Sequence, residues 1–175
     1  PYGNGFYLED YKDKELVIVA GGTGVSPVRG VIDYFVRNPE AAKSVTVIAG
    51  FKTPNDILFR RDLKLWEENL SLILTVDSCE GNPSYKEGLV TAYIPGLEFA
   101  HMEDACAIVV GPPAMMRFST MALMDRGLKE EQIWISQERK MCCGLGKCGH
   151  CKINDVYVCL DGPVFNFTKG RQLLD

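Results

Sequence analysis

The sequence predicts an α/β protein: a five-stranded, doubly wound parallel sheet followed by a small Cys-rich appendix near its C-terminal end. Three observations predict it. Short, nearly all-apolar runs alternate with amphipathic stretches as far as Ile135, a glycine-rich turn follows the first run, and four cysteines crowd between Cys143 and Cys159.

The opening Tyr2-Gly3-Asn4-Gly5-Phe6 reads as the tail of a preceding turn, and a start at Pro1 reads as a piece of a longer protein. Candidate strands are Leu16 to Ala20, Val45 to Ala49, Leu72 to Val76, Ala107 to Val110 and Ile133 to Ile135. Each is nearly all apolar, as strands covered on both faces by helices must be. Between them, Pro27 to Val36 begins with proline at a first helical position. Leu63, Trp66 and Leu70 recur at steps of three and four. A third helix, Ala114 to Arg126, stops at Gly127. After Glu138 the pattern changes, which divides the chain into residues 1–138 and 139–175. Met141 to Cys151 has neither strand nor helix period, and Lys152 to Leu160 alternates around Asn154-Asp155 as a small hairpin.

Composition narrows the function. With 175 residues, 46% of them hydrophobic, the chain has room for one core or a core with an appendix. A net charge of −4 leaves no basic footprint for nucleic acid. No apolar run approaches the ~20 residues that span a bilayer, so membrane insertion is not expected. Seven cysteines, an odd number with four clustered, argue against a secreted disulfide framework. They point to a metal site in a reducing, cytoplasmic setting.

The segment Cys143-Gly-Leu-Gly-Lys-Cys148-Gly-His-Cys151 and the later Cys159 have the spacing C-x4-C-x2-C-x7-C. The first steps match the plant-type pattern for a 2Fe-2S cluster held by four thiolates. The glycines among them let backbone N–H groups approach the sulfurs. Zinc bound to four cysteines is the alternative, although such sites more often pair two C-x2-C units. Cys142 reads as a spare thiol beside the ligand Cys143, His150 as pointing outward, and Cys79 and Cys106 as core or pocket residues.

The first strand runs into Gly21-Gly22-Thr23-Gly24-Val25-Ser26-Pro27 and then a helix, the place where a parallel sheet binds pyrophosphate. The loop departs from G-x-G-x-x-G at Pro27, and the second strand ends without an acidic residue for a ribose hydroxyl. A turn that merely packs is the bland alternative. Val110-Gly111-Pro112-Pro113-Ala114-Met115-Met116 forms a second loop at the same sheet edge, and Asp77-Ser78-Cys79-Glu80-Gly81 a third. Helix packing is the plainer role for at least one of the two methionines. Lys52, Arg60 and Arg61 follow the second strand and are candidates for a 2′-phosphate, whereas Glu80 beside Asp77 argues for NADH.

Together these residues resemble the ferredoxin-NADP reductase superfamily. Tyr2-Gly3-Asn4-Gly5-Phe6 looks like its junction after a flavin barrel, Gly22-Thr23-Gly24-Val25-Ser26-Pro27 like its pyrophosphate loop, and Gly111-Pro112-Pro113-Ala114-Met115 like its nicotinamide-side motif. The Cys-rich end is similar to that of electron-transfer subunits of dihydroorotate dehydrogenase and soluble hydrogenases. It is most similar to the corresponding electron-transfer subunit of anaerobic sulfite reductase, on the cysteine loop and on Tyr157-Val-Cys159-Leu-Asp-Gly-Pro-Val-Phe165. Val110 stands where relatives often have a cysteine. The resemblance implies NAD(P)H at Gly22, Thr23, Gly24, Val25, Ser26, Pro27, Lys52, Asp77, Gly111, Pro112 and Met115. It also implies a 2Fe-2S cluster on Cys143, Cys148, Cys151 and Cys159, and FAD on an N-terminal domain that these residues do not include. An oxidoreductase component with no acid–base residues of its own would then pass electrons to a catalytic reductase subunit. A nucleotide-binding module with structural zinc is the competing expectation. Phe165 to Arg171 is a candidate docking surface, with packing on the sheet as its alternative.

Overall fold

The computed structural model describes residues 2–79 and 85–173. Strand β1 (Glu15–Gly21) is buried along its whole length. Its side chains alternate between two cores: Leu16, Ile18 and Ala20 enter one, Val17 and Val19 the other. This is why the run reads as continuously apolar. Helix α1 (Val25–Arg37) sets Val25, Val28, Val31, Ile32, Phe35 and Val36 on one face against the first core. After β2 (Ser44–Phe51), helix α2 (Arg60–Asn69) packs beside α1. There the buried Trp66 donates its Nε1–H to Asp33 Oδ1 at 2.9 Å, and Arg29 bridges to Asp62 at 2.9 Å.

Next come β3 (Ser71–Val76) and the two-residue β4 (Lys86–Glu87), then β5 (Ala105–Val110). Helix α3 (Pro113–Asp125) covers the opposite face of the sheet with Met116 and Leu123, and leads to β6 (Ile133–Ser136). The Cys-rich segment adds a hairpin of β7 (Lys152–Ile153) and β8 (Val156–Tyr157), a turn of helix α4 (Val158–Asp161), β9 (Val164–Asn166) and helix α5 (Phe167–Gly170).

The main sheet has the order β4-β3-β2-β1-β5-β6-β9. Glu15 of β1 pairs with Ser44 of β2 on one side and Ala105 of β5 on the other, both in parallel. The winding therefore reverses between β1 and β5, and at such a switch point the loops at the carboxyl edge diverge to leave a crevice.

The five expected strands are the five central ones, and the sheet gains one short strand at each edge. Strand β4 is parallel to β3, whereas β9 runs antiparallel to β6. The appendix is therefore joined to the sheet. Its Cys151, Ile153, Val158, Cys159, Phe165 and Phe167 share a core with Val17, Val19 and Ile135. Phe165 and Phe167 are 4% and 5% exposed, which rules them out as the heart of a docking surface. The expected hairpin forms, with Asn154 in the left-handed region at φ 51°. The alternation ends sooner than expected, because Val158–Asp161 coils into α4 and leaves Leu160 exposed.

Candidate functional site

A crevice of about 460 Å³ opens at the carboxyl edge of the sheet, where β1, β2, β3 and α3 meet. Its lining brings together Gly22, Lys52, Asp77 and Pro112 from four loops and Met115 from the first turn of α3, all of them anticipated from the sequence. Gly22 has a left-handed φ of 56°, and a Cβ built there would meet no atom within 4 Å. Its backbone thus faces open space that a ligand's phosphates can enter. Helix α1 starts behind it without a side-chain cap, its first N–H, of Val25, turned back to the Gly22 and Thr23 carbonyls.

The other expected contacts lie around this lining. Gly24 and Val25 are buried beneath the loop, Thr23 and Ser26 are exposed beside it, and Gly111 sits against Met115. Met115 lines the crevice, and Met116 is buried in packing. Of the three cations after β2, only Lys52 lines the crevice; Arg60 donates to the Pro54 carbonyl, and Arg61 is exposed elsewhere. Glu80 and Gly81 lie outside the described residues. Sequence reasoning missed Leu89, Val90 and Thr91, which wall the crevice from the turn after β4, and Phe118. Phe118 was accessible to it, since three residues after Met115 puts it on the same helix face.

The cysteine segment folds as a loop through Gly144, Gly146 and Gly149, all at positive φ. Leu145 N–H points at Cys143 Sγ at 3.4 Å, and Gly146 N–H points at Cys159 Sγ at 3.4 Å. Backbone N–H groups hold Cys143 and Cys148 below the ordinary thiol range. Burial pushes Cys159 the other way. Cys143 and Cys148 act on each other's thiols, and Cys151 and Cys143 both act on that of Cys159. Among the described residues, no three Cys, His, Asp or Glu side chains are grouped to hold a single metal ion. Four thiols on one glycine-rich loop and its following turn, with N–H donors aimed at the sulfurs of Cys143 and Cys159, suit a two-iron centre held by four thiolates.

Cys142 is exposed beside this loop, and so is His150. Cys106 lies in the sheet core, where burial pushes its thiol up to about 12. Cys79 is half-buried and donates to Glu87 Oε2 at 2.9 Å. Neither joins the four clustered thiols. A second cavity, about 560 Å³, is lined by Pro27 of the nucleotide loop, Glu138 to Met141 and Pro163. It lies where the crevice side of the sheet meets the cysteine segment.

Two family models match the chain. Residues 18–120 match the family described as the oxidoreductase NAD-binding domain, and residues 138–169 match the iron–sulfur cluster binding domain of dihydroorotate dehydrogenase B. The sulfhydrogenase 2 subunit gamma of Pyrococcus furiosus is 37% identical over 95% of this chain and 64% of its own length. A dihydroorotate dehydrogenase B electron transfer subunit from Bacillus cereus is 33% identical over 94% of this chain and 61% of its own. The chain thus spans less than two thirds of these relatives. Among solved structures, an NADH-dependent reduced ferredoxin-NADP oxidoreductase superposes with a TM-score of 0.71 at 22% identity, covering 99% of this chain and 61% of that one.

Proposed function

Because the chain belongs to the oxidoreductase NAD-binding domain family and carries an iron–sulfur cluster binding domain after it, we propose that it is the electron-transfer component of a multi-subunit reductase. In this reading the crevice seats NAD(P)H, and Cys143, Cys148, Cys151 and Cys159 hold a 2Fe-2S cluster. A hydride carries two electrons and such a cluster accepts one, so a flavin contributed by another segment or subunit must divide the pair. The chain's own residues bind, orient and insulate; none is required as a general acid or base.

The backbone N–H groups aimed at the sulfurs of Cys143 and Cys159, in a segment with the C-x4-C-x2-C-x7-C spacing, carry the reading. Anaerobically purified protein should contain about two irons and two sulfides per chain, with visible absorption that bleaches on adding dithionite. A colourless preparation loaded with zinc would overturn it.

The catalytic partner is a finer matter. The cysteine motif supports anaerobic sulfite reductase, while the identity to a sulfhydrogenase gamma subunit favours a hydrogenase-type partner. These readings differ only in subunits that this chain does not encode. Mass spectrometry of what copurifies with the chain from its native source separates them.

A further inference from the structure

Residues 2–4 lie 140 to 160 positions from the cysteine segment in sequence, yet they are fastened to it. The side-chain Nδ2 of Asn4 donates to the carbonyls of Asp161 at 3.2 Å and Val164 at 3.1 Å. Its Oδ1 accepts from Val164 N–H at 3.0 Å, and its backbone N–H donates to the Gly162 carbonyl at 2.6 Å. One residue thus makes four hydrogen bonds to the turn that starts two positions after Cys159. Asp161 is held from its other side by Tyr157 N–H at 3.0 Å.

Two residues earlier, Tyr2 reaches the opposite end of the thiol set. Its ring lies over Gly144, which follows Cys143; a Cβ built on Gly144 would collide with the ring. The stretch 2–4 therefore grips the segment of the first cysteine through Tyr2 and that of the last through Asn4. A solvated linker would satisfy its polar groups with water. Instead the amide of Asn4, on an otherwise irregular segment, is fully engaged with one distant turn.

We propose that residues 2–4 are a strap that sets the distance between the Cys143 and Cys159 segments, with Asn4 and Tyr2 as positioning residues for the cluster. The inference rests on the reading that these cysteines hold one. Coupling of this kind is reciprocal. If the strap favours the ligating arrangement, bound cluster must tie down the strap, and chain entering at residue 2 is anchored beside the cluster only while the cluster is present.

The test uses the full chain, loaded with iron and sulfide. Asn4→Ala should release iron to a chelator about tenfold faster than wild type and alter the electron paramagnetic resonance signal of the reduced cluster. It should leave NADH affinity within about twofold, because the crevice is built from other loops. Hydrogen exchange at residues 2–6 should slow when cluster is bound. If Asn4→Ala does not fold, Asn4→Asp keeps the acceptor for Val164 N–H, loses both donors, and carries the same expectation; Tyr2→Ala tests the other end. Wild-type iron release, spectrum and exchange in a folded variant would overturn the strap while leaving the cluster in place. A wild-type chain that takes up no iron would overturn the cluster itself, and the strap with it.

Discussion

At Gly22, in the proposed nucleotide site, a single added atom is the sharpest test of binding. Its φ of 56° is strained for any L side chain, by roughly 1–2 kcal/mol, and a Cβ there would project into the space left for phosphate. Gly22→Val should therefore weaken NADH binding by at least about tenfold, equivalent to ~1.4 kcal/mol, when measured by calorimetry. The absorption of the loaded cluster should be unchanged. Equal affinity would remove Gly22 from the nucleotide site. Lys52 and Asp77 bring opposite charges to the same crevice, which leaves no single-sign field there for a 2′-phosphate. Arg60 and Arg61 looked like candidates from the sequence because adjacency to a strand end is all that a sequence displays. In the structure they open α2, after the turn in which Phe59 adopts φ 53°.

At the level of elements, legibility followed length and period. The central strands and α1 were readable because burial on both faces makes a continuous apolar run and burial on one face makes a helical period. Strands β4 and β9 have two and three residues, too few to display a period, and β9 is fixed by its partner β6 rather than by its own pattern. The aromatics around it were accordingly open to either a surface or a core role. Phe165 decides between them energetically, since it is 4% exposed in the core that also holds Cys151 and Cys159. Phe165→Ala should cost about 3–5 kcal/mol in denaturant unfolding. It should also hasten loss of the cluster. A cost below ~1 kcal/mol would mean that β9 is not a structural part of the sheet.

For the whole molecule, the proposed nucleotide crevice and the cysteine segment belong to one sheet and its core. The nucleotide crevice opens at the switch between β1 and β5, while the thiols stand beyond β6 on the face covered by α3. A one-electron acceptor cannot take a hydride, so proximity alone does not connect the sites. The 175-residue chain, loaded with its cluster, should therefore bind NADH in a titration yet keep the oxidised absorption spectrum, whereas dithionite should bleach it. Adding the flavin-bearing portion of the native complex should make NADH reduce the cluster. Bleaching by NADH alone at a rate comparable to dithionite would mean that these residues contain a route from hydride to cluster, and the requirement for a flavin supplied from elsewhere would fall.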